Sequence, residues 1–309
     1  MKNTWDVIPD IHADIERLEA TLQAREPGVP IAFLGDIIDA GGATRVSDDV
    51  AVLTRVRDLV DTGKAVAVMG NHELNAILYH TVGADRVPLR ERSEKNRAQD
   101  RSFVQQLGTA TPQAHEWIDW FLNLPLWRDL DGLRLVHACW SQPDIDLIAE
   151  RRPDGRITRA DLPEIATEET PFARAVKNLV TGPEVRLEPS AHPGFHDAGG
   201  HRRNHVRIAW WRSGTRTWRD AALSVPRPEE LPAGDVPSSR EVAFYPQDAP
   251  PVIVGHYKMT GESRIESDNA ACLDYPQSTC VYRWRGESAL TEENLVRIEP
   301  TQGLVSVNA

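Results

Sequence analysis

The chain has 309 residues, 40% of them apolar and 26% charged, with a formal net charge of −11 at pH 7. That length suits one large α/β layered structure with insertions, and the composition is that of a globular protein. The acidic balance argues against a broad grip on duplex nucleic acid, but a small phosphorylated substrate stays open, because bound cations can invert a local field.

Met1-Lys2-Asn3-Thr4-Trp5 enters a strand pattern at once, so no signal peptide is expected. No run of about 18 apolar residues suggests a membrane span. Cys139, Cys272 and Cys280 show no metal-type spacing and read as buried, reduced thiols, which points to the cytoplasm. Trp5 to Pro9 is a first strand, followed by a helix from about Ala13 to Arg25 that Pro27-Gly28 ends. Pro30 to Leu34 is a second strand closing in Gly35-Asp36, and Ser47 to Asp61 a second amphipathic helix. A third strand, Ala65 to Met69, runs into Gly70-Asn71-His72-Glu73. This β-α-β-α-β order implies parallel strands with right-handed crossovers.

Beyond it, about Leu74 to Arg101 reads as helical and highly charged, with Glu91 to Arg101 a solvated face. His115 to Leu124 reads as a core helix, and Leu126 to Leu130 with Leu133 to His137 as a hairpin turned by Asp131-Gly132. The pattern degrades over about 150–250, which we read as an insertion or cap within a single 1–309 domain. Strands return at Pro251 to His256, Ala270 to Asp274 and Thr279 to Trp284. Antiparallel strands after a βαβ half suggest a two-sheet sandwich with helices outside.

Five strand ends carry polar residues of one kind. They are Asp10-Ile11-His12, Gly35-Asp36-Ile37-Ile38-Asp39, Gly70-Asn71-His72-Glu73, His137 and Gly255-His256. Open α/β sheets place ligands at such carboxyl ends. Carboxylates, imidazoles and an amide suit a borderline divalent metal such as Mn, Fe or Zn. Two adjacent metals need a bridging carboxylate, and Asp36 lies between an Asp-His pair upstream and an Asn-His-His set downstream. A lone strand-end His is ordinarily a satisfied turn or core residue. Five such ends by chance are a poor alternative.

Asp-x-His, Gly-Asp-x-x-Asp, Gly-Asn-His-Glu, a strand-end His and Gly-His, in that order, resemble the calcineurin-like metallophosphoesterase superfamily. Within it, the pattern is similar to the branch of serine/threonine protein phosphatases and symmetrical diadenosine tetraphosphate hydrolases. The resemblance covers about residues 5–80, 126–146 and 250–285. It implies a four-layer α-β-β-α sandwich of two mixed sheets with an inserted cap. It also implies two divalent metals, one held by Asp10, His12 and Asp36, the other by Asp36, Asn71, His137 and His256. A hydroxide bridging the metals would attack a phosphoester, His72 would protonate the leaving group as general acid, and Asp39 would orient His72. Glu73 reads as support rather than chemistry.

Two departures stand out. Pro9 and Ala13 flank the first motif where relatives have glycines, which alters a turn without removing a ligand. Ala40 follows the second Asp, where the protein-phosphatase branch has an arginine that grips the substrate phosphate. Six arginines between Gly200 and Arg219, with Arg203 and Arg207 on one face of an expected strand Val206 to Trp211, are candidates to replace it. The expected substrate is a phosphomonoester or phosphoprotein. The alternative is a dinucleoside polyphosphate, with Trp210 or Trp211 stacking on a base. A rival of another class is a catalytically weakened metal-binding interaction module.

Overall fold

The computed structural model describes residues 4–212, 216–237 and 242–299. The reading of Met1 to Asn3 lies outside them. Strands β1 (Trp5–Ile8), β2 (Ile31–Phe33) and β3 (Ala65–Ala67) pair in parallel, with Asp6 opposite Ile31 and Ile31 opposite Ala65. The crossovers are helices α1 (Ile15–Ala24) and α2 (Asp49–Asp61). Each starts where a carboxylate accepts a backbone N–H of the first turn, Asp14 from Arg17 at 3.1 Å and Asp48 from Ala51 at 3.0 Å. Such a cap contributes about 1 kcal/mol, which explains helix starts later than apolar periodicity alone suggests.

Helix α3 (Asn71–His80) begins directly after the third strand end. It is shorter than the sequence suggests. Residues 81–93 turn back, and α4 (Glu94–Gln99), α5 (Arg101–Leu107) and α6 (Pro112–Phe121) follow. Glu91 to Arg101 is largely solvated as expected, except that Asp100 is buried against His80; just beyond it, Ser102 accepts the Ala40 N–H at 2.9 Å. Strands β4 (Trp127–Asp129) and β5 (Arg134–Val136) form the expected hairpin, with Asp131 and Gly132 both at positive φ in its turn.

Helices α7 (Gln142–Arg151), α8 (Leu162–Thr167) and α9 (Pro171–Thr181) come next. Phe172, Val176, Leu179 and Val180 of α9 join the main apolar cluster, and Leu179 O accepts the N–H of Ala138 just past β5. Sequence reading saw no helix there, because Pro, Glu and Arg on the outer face mask the inner stripe. A three-stranded sheet of β6 (Glu184–Arg186), β9 (His205–Ile208) and β10 (Ala222–Leu223) then forms, with the small pair β7 (Phe195–His196) and β8 (Arg202–Arg203), and α10 (Trp218–Ala221) precedes β10. These elements enclose a separate apolar cluster including Phe195, Val206, Ile208 and Trp218.

Strands β11 (Val252–Val254) and β12 (Ala270–Cys272) pair in parallel with each other, and β11 pairs in parallel with β5. Only β13 (Cys280–Trp284) and β14 (Leu295–Arg297) add antiparallel to the first sheet, a correction to the expectation that all late strands run antiparallel. The sheets are thus β14-β13-β1-β2-β3 and β12-β11-β5-β4, both mixed. Period-two alternation fixes how they stack. Val7, Ala32, Leu135, Ile253 and Ala271 meet in one cluster between the sheets, while Ile8, Phe33, Val136, Val254 and Cys272 point outward to the helices. The result is the expected α-β-β-α layering. It brings the carboxyl ends of β1, β2, β3, β5 and β11 to one rim.

Candidate metal centre and its cavity

Glycine makes the rim possible by removing side chains from two crossings. A Cβ on Gly70 would overlap Asp36, and one on Gly255 would overlap the Asp10 carboxylate. Close approach, more than backbone freedom, is why the motifs contain these glycines. The polar residues carry the strain instead: His12, Asp36, Asp39 and His256 all adopt positive φ, at 50°, 48°, 66° and 73°. Non-glycine residues in this region cost of order 1–3 kcal/mol each and persist where surroundings over-determine them. Glu73 supplies much of that determination. Its buried carboxylate accepts from the backbone N–H of Asp36 (2.9 Å), Ile37 (2.8 Å) and Gly70 (2.9 Å), tying two strand ends together.

Asp36 is central, and its two oxygens face different partners. Oδ1 lies 3.3 Å from His137 Nε2, while Oδ2 lies 4.0 Å from His12 Nε2 and 3.8 Å from His72 Nε2. Asn71 Oδ1 sits 3.1 Å from His137 Nε2 and 2.7 Å from His256 Nδ1. His137 Nδ1 faces Leu34 O at 2.7 Å, which aims Nε2 at the centre. Asp10 Oδ2 accepts the His256 N–H at 3.0 Å and lies 4.0 Å from His12 Nε2. Donor atoms of His12, Asp36 and His72 lie within 4.8 Å of one another, as do those of Asp36, His137 and His256.

The set fits divalent metal. Among the described residues, Asp10 Oδ1, both ring nitrogens of His12 and His256 Nε2 are buried without a hydrogen-bond partner. A folded chain rarely leaves such atoms orphaned unless a ligand satisfies them. The bare site is protonated unevenly. Burial pushes the Asp10 carboxyl well up, with Asp274 adding to it. Burial and the neighbouring His72 drive His12 down to about 3, leaving a neutral imidazole with free lone pairs. Burial opposes charge on His137 too, but Asp36 outweighs it and lifts that imidazole to about 10.

His72 differs from the other imidazoles. Its Nδ1 lies 2.8 Å from Asp39 Oδ2, leaving Nε2 toward the cavity. Burial works against its charged form, yet Asp36 and the Asp39 hydrogen bond prevail and raise it to about 9. Burial in turn raises Asp39 to about 7 against the pull of His72. Asp39 is fixed from behind by Asp49, which accepts its N–H at 2.9 Å.

A cavity of about 460 Å³ opens over this centre, floored by Asp36, Asn71, His72 and His256. Its wall bears five cations: Arg90, Lys95, Lys177, Arg207 and Lys258. Of the two arginines singled out in the sequence, Arg207 lines the cavity while pairing with Glu184 at 3.2 Å. Arg203 does not line it. It belongs to the separate strand β8, pairs with Asp197 at 2.7 Å, and lines a neighbouring cavity that shares Lys95 and Arg207. Trp210 and Trp211 are fully buried, Trp210 donating to Ala138 O (2.9 Å) and Tyr257 Oη (3.1 Å), Trp211 to Glu266 (2.7 Å). Arg90, Lys95, Gln99 and Lys258 were missed in the sequence, since lone charges in loops and short helices carry no periodic signal.

Comparison with known proteins agrees with this geometry. A model of the calcineurin-like phosphoesterase family matches residues 6–161. A symmetrical bis(5'-nucleosyl)-tetraphosphatase of Paraburkholderia phymatum is 32% identical over 123 residues, covering 39% of this chain and 36% of that protein. One of Ralstonia nicotianae is 28% identical over 131 residues, covering 42% and 40%. The matches thus span well under half the length of these relatives. The solved structure of a point mutant of a cold-active protein tyrosine phosphatase aligns over 97% of this chain and 81% of that one, with 12% identity and a TM-score of 0.50, a likeness of fold. With the family model spanning half the chain, the protein belongs to the calcineurin-like phosphoesterase family.

Proposed function

We propose that the chain is a dinuclear metal-dependent hydrolase of phosphomonoesters, including phosphorylated protein side chains. Asp10, His12 and Asp36 would hold one divalent cation, and Asp36, Asn71, His137 and His256 the second. Such cations neutralise non-bridging phosphoryl charge and lower the pKa of water at neutral pH. The protein's own residues then have separate tasks. His72, charged below pH about 9 and with Nε2 toward the cavity, delivers a proton to the departing oxygen. Asp39 holds the ring through Nδ1 and fixes its orientation. Arg207 lends cationic charge to the phosphate from the cavity wall. Arg203, outside that cavity, would serve only a substrate long enough to reach the neighbouring one. We keep residues 150–250 as the insertion or cap over the site, within which α9 packs on the main core and the strands after it enclose an apolar cluster of their own.

The observation that carries the substrate class is the wall composition: cations and aliphatic residues, with no Trp, Tyr or Phe among the described lining residues. No Trp, Tyr or Phe ring is offered there for a nucleobase to stack on, and Trp210 and Trp211 are committed to the interior. A second reading, hydrolysis of a dinucleoside polyphosphate, draws on the five wall cations, more than one phosphate requires, and on the names of the two curated relatives. Turnover of a chromogenic monoester, phosphopeptides and diadenosine tetraphosphate, assayed side by side with added Mn, separates the two. Preference for the tetraphosphate by kcat/KM would replace the first reading with the second. Metal-loaded protein inert to all three would leave the interaction-module rival instead.

A further inference from the structure

Ala40 offers no charge beside Asp39, and the fold turns an arginine from elsewhere in the chain into the cavity over the centre, near enough to Asp39 to feel its charge. After α3 the backbone doubles back, Leu89 N–H donating to Thr81 O at 2.9 Å and Arg90 N–H to Leu78 O at 3.0 Å. This return carries the Arg90 side chain over the cavity that Asp36 and His72 floor. Its Nη2 donates to Gln99 Oε1 at 2.7 Å, and the amide nitrogen of the same Gln99 lies 3.4 Å from His72 Nε2 and 3.5 Å from Nδ1. One glutamine thus lies between guanidinium and imidazole, hydrogen-bonded to the first and in contact with the ring of the second.

Charge balance separates Arg90 from the other arginine of the wall. Arg207 is in an ion pair with Glu184, and nearby Arg203 with Asp197. Arg90 has no carboxylate within ion-pair distance among the described residues, although Asp100 and Asp39 lie near enough to favour its charge against the cost of burial. A half-buried guanidinium whose described partner is a single amide oxygen is short of acceptors, and phosphoryl oxygens match its fork. Lys95 and Lys258 also face the cavity, but both are exposed point charges on flexible stems.

We propose that Arg90, positioned by Gln99, binds the substrate's phosphoryl oxygens in the place of the side chain that Ala40 lacks. The assignment rests on the hydrolase reading above. It makes the loop after α3 part of the substrate site.

Calorimetric binding of inorganic phosphate to the Mn-loaded full chain, together with steady-state turnover of a chromogenic monoester, tests it. Arg90→Ala is expected to weaken phosphate binding and lower kcat/KM by about ten-fold or more, with Mn content per chain unchanged. Arg90→Lys should recover part of the phosphate affinity, and Gln99→Ala should lose about three-fold by releasing the guanidinium. Arg159→Ala, at a surface ion pair with Asp119, serves as the control. Phosphate affinity within about two-fold of wild type in both Arg90 variants would overturn the proposal, since an anchoring charge-assisted contact is worth more than that. Wild-type protein that binds phosphate through Arg90 yet hydrolyses nothing would support the assignment and overturn the hydrolase reading instead.

Discussion

The rim of the two sheets and the wall above it are built on different physical terms. At the rim, each polar group issues from a buried strand end, glycines admit the crossings, and Glu73 locks two loops with three hydrogen bonds. On the wall, half-exposed and exposed cations project from loops, helices and the central strand β9 of the small sheet. The rim is over-determined and the wall is not. Chemistry therefore resides where the backbone cannot move, and substrate choice where single side chains can change without cost to the fold.

That contrast is open to attack from its strongest point downward. Asp36→Ala removes the carboxylate shared by both proposed ligand sets; metal content by elemental analysis and turnover should fall together, turnover by about 10³-fold or more. His72→Ala should separate the two readouts, lowering turnover by about 10²–10⁴-fold while metal content holds. Equal loss of metal in that variant would make His72 a ligand rather than an acid. Gly70→Ala adds no charge and deletes none, yet its Cβ has no room beside Asp36, so a loss of about 1–3 kcal/mol in chemical denaturation is expected. Wild-type stability there would show a rim more pliable than its geometry implies. Arg207→Ala, on the wall, should raise KM by about three-fold with unchanged melting temperature, because its partner Glu184 is exposed.

A titration sharpens the same comparison. In metal-free protein the raised imidazoles, His72 at about 9 and His137 at about 10, stabilise the fold fully below the ordinary histidine value. That contribution is lost as pH rises through 9 and 10. His137 and Asp10 both favour the protonated form when bare, so metal uptake near pH 7 should release protons. Calorimetry in buffers of differing ionisation enthalpy measures this directly; proton-neutral uptake would show that the bare site does not hold these two protons at pH 7.

What the sequence made legible follows the same division. Asp10, His12, Asp36, Asn71, His137 and His256 stand at ends of apolar runs that could only be strands, so their convergence could be reasoned from strand order. Helix α9 escaped notice because Pro171, Arg174 and Lys177 interrupt its apolar residues when read linearly, although folded they lie on separate faces. Arg90 and Gln99 escaped for another reason: nine residues apart, they meet only because the chain reverses at 81–90. The four-layer arrangement needed the alternation of Val7 with Ile8 and Ile253 with Val254, which is plain once register is known. The parallel pairing of β11 with β12 was hidden, because strand direction leaves no mark in composition.

Trp210 and Tyr257 converge on the single carbonyl of Ala138, which is the residue after His137, while Tyr257 is the residue after His256. The arm bearing Arg207 is therefore riveted at the one point where two imidazoles of the centre meet. It cannot swing like a door without pulling on both. Adaptation to a new substrate would then proceed by exchanging side chains on a stationary arm, and turnover would not wait on its opening.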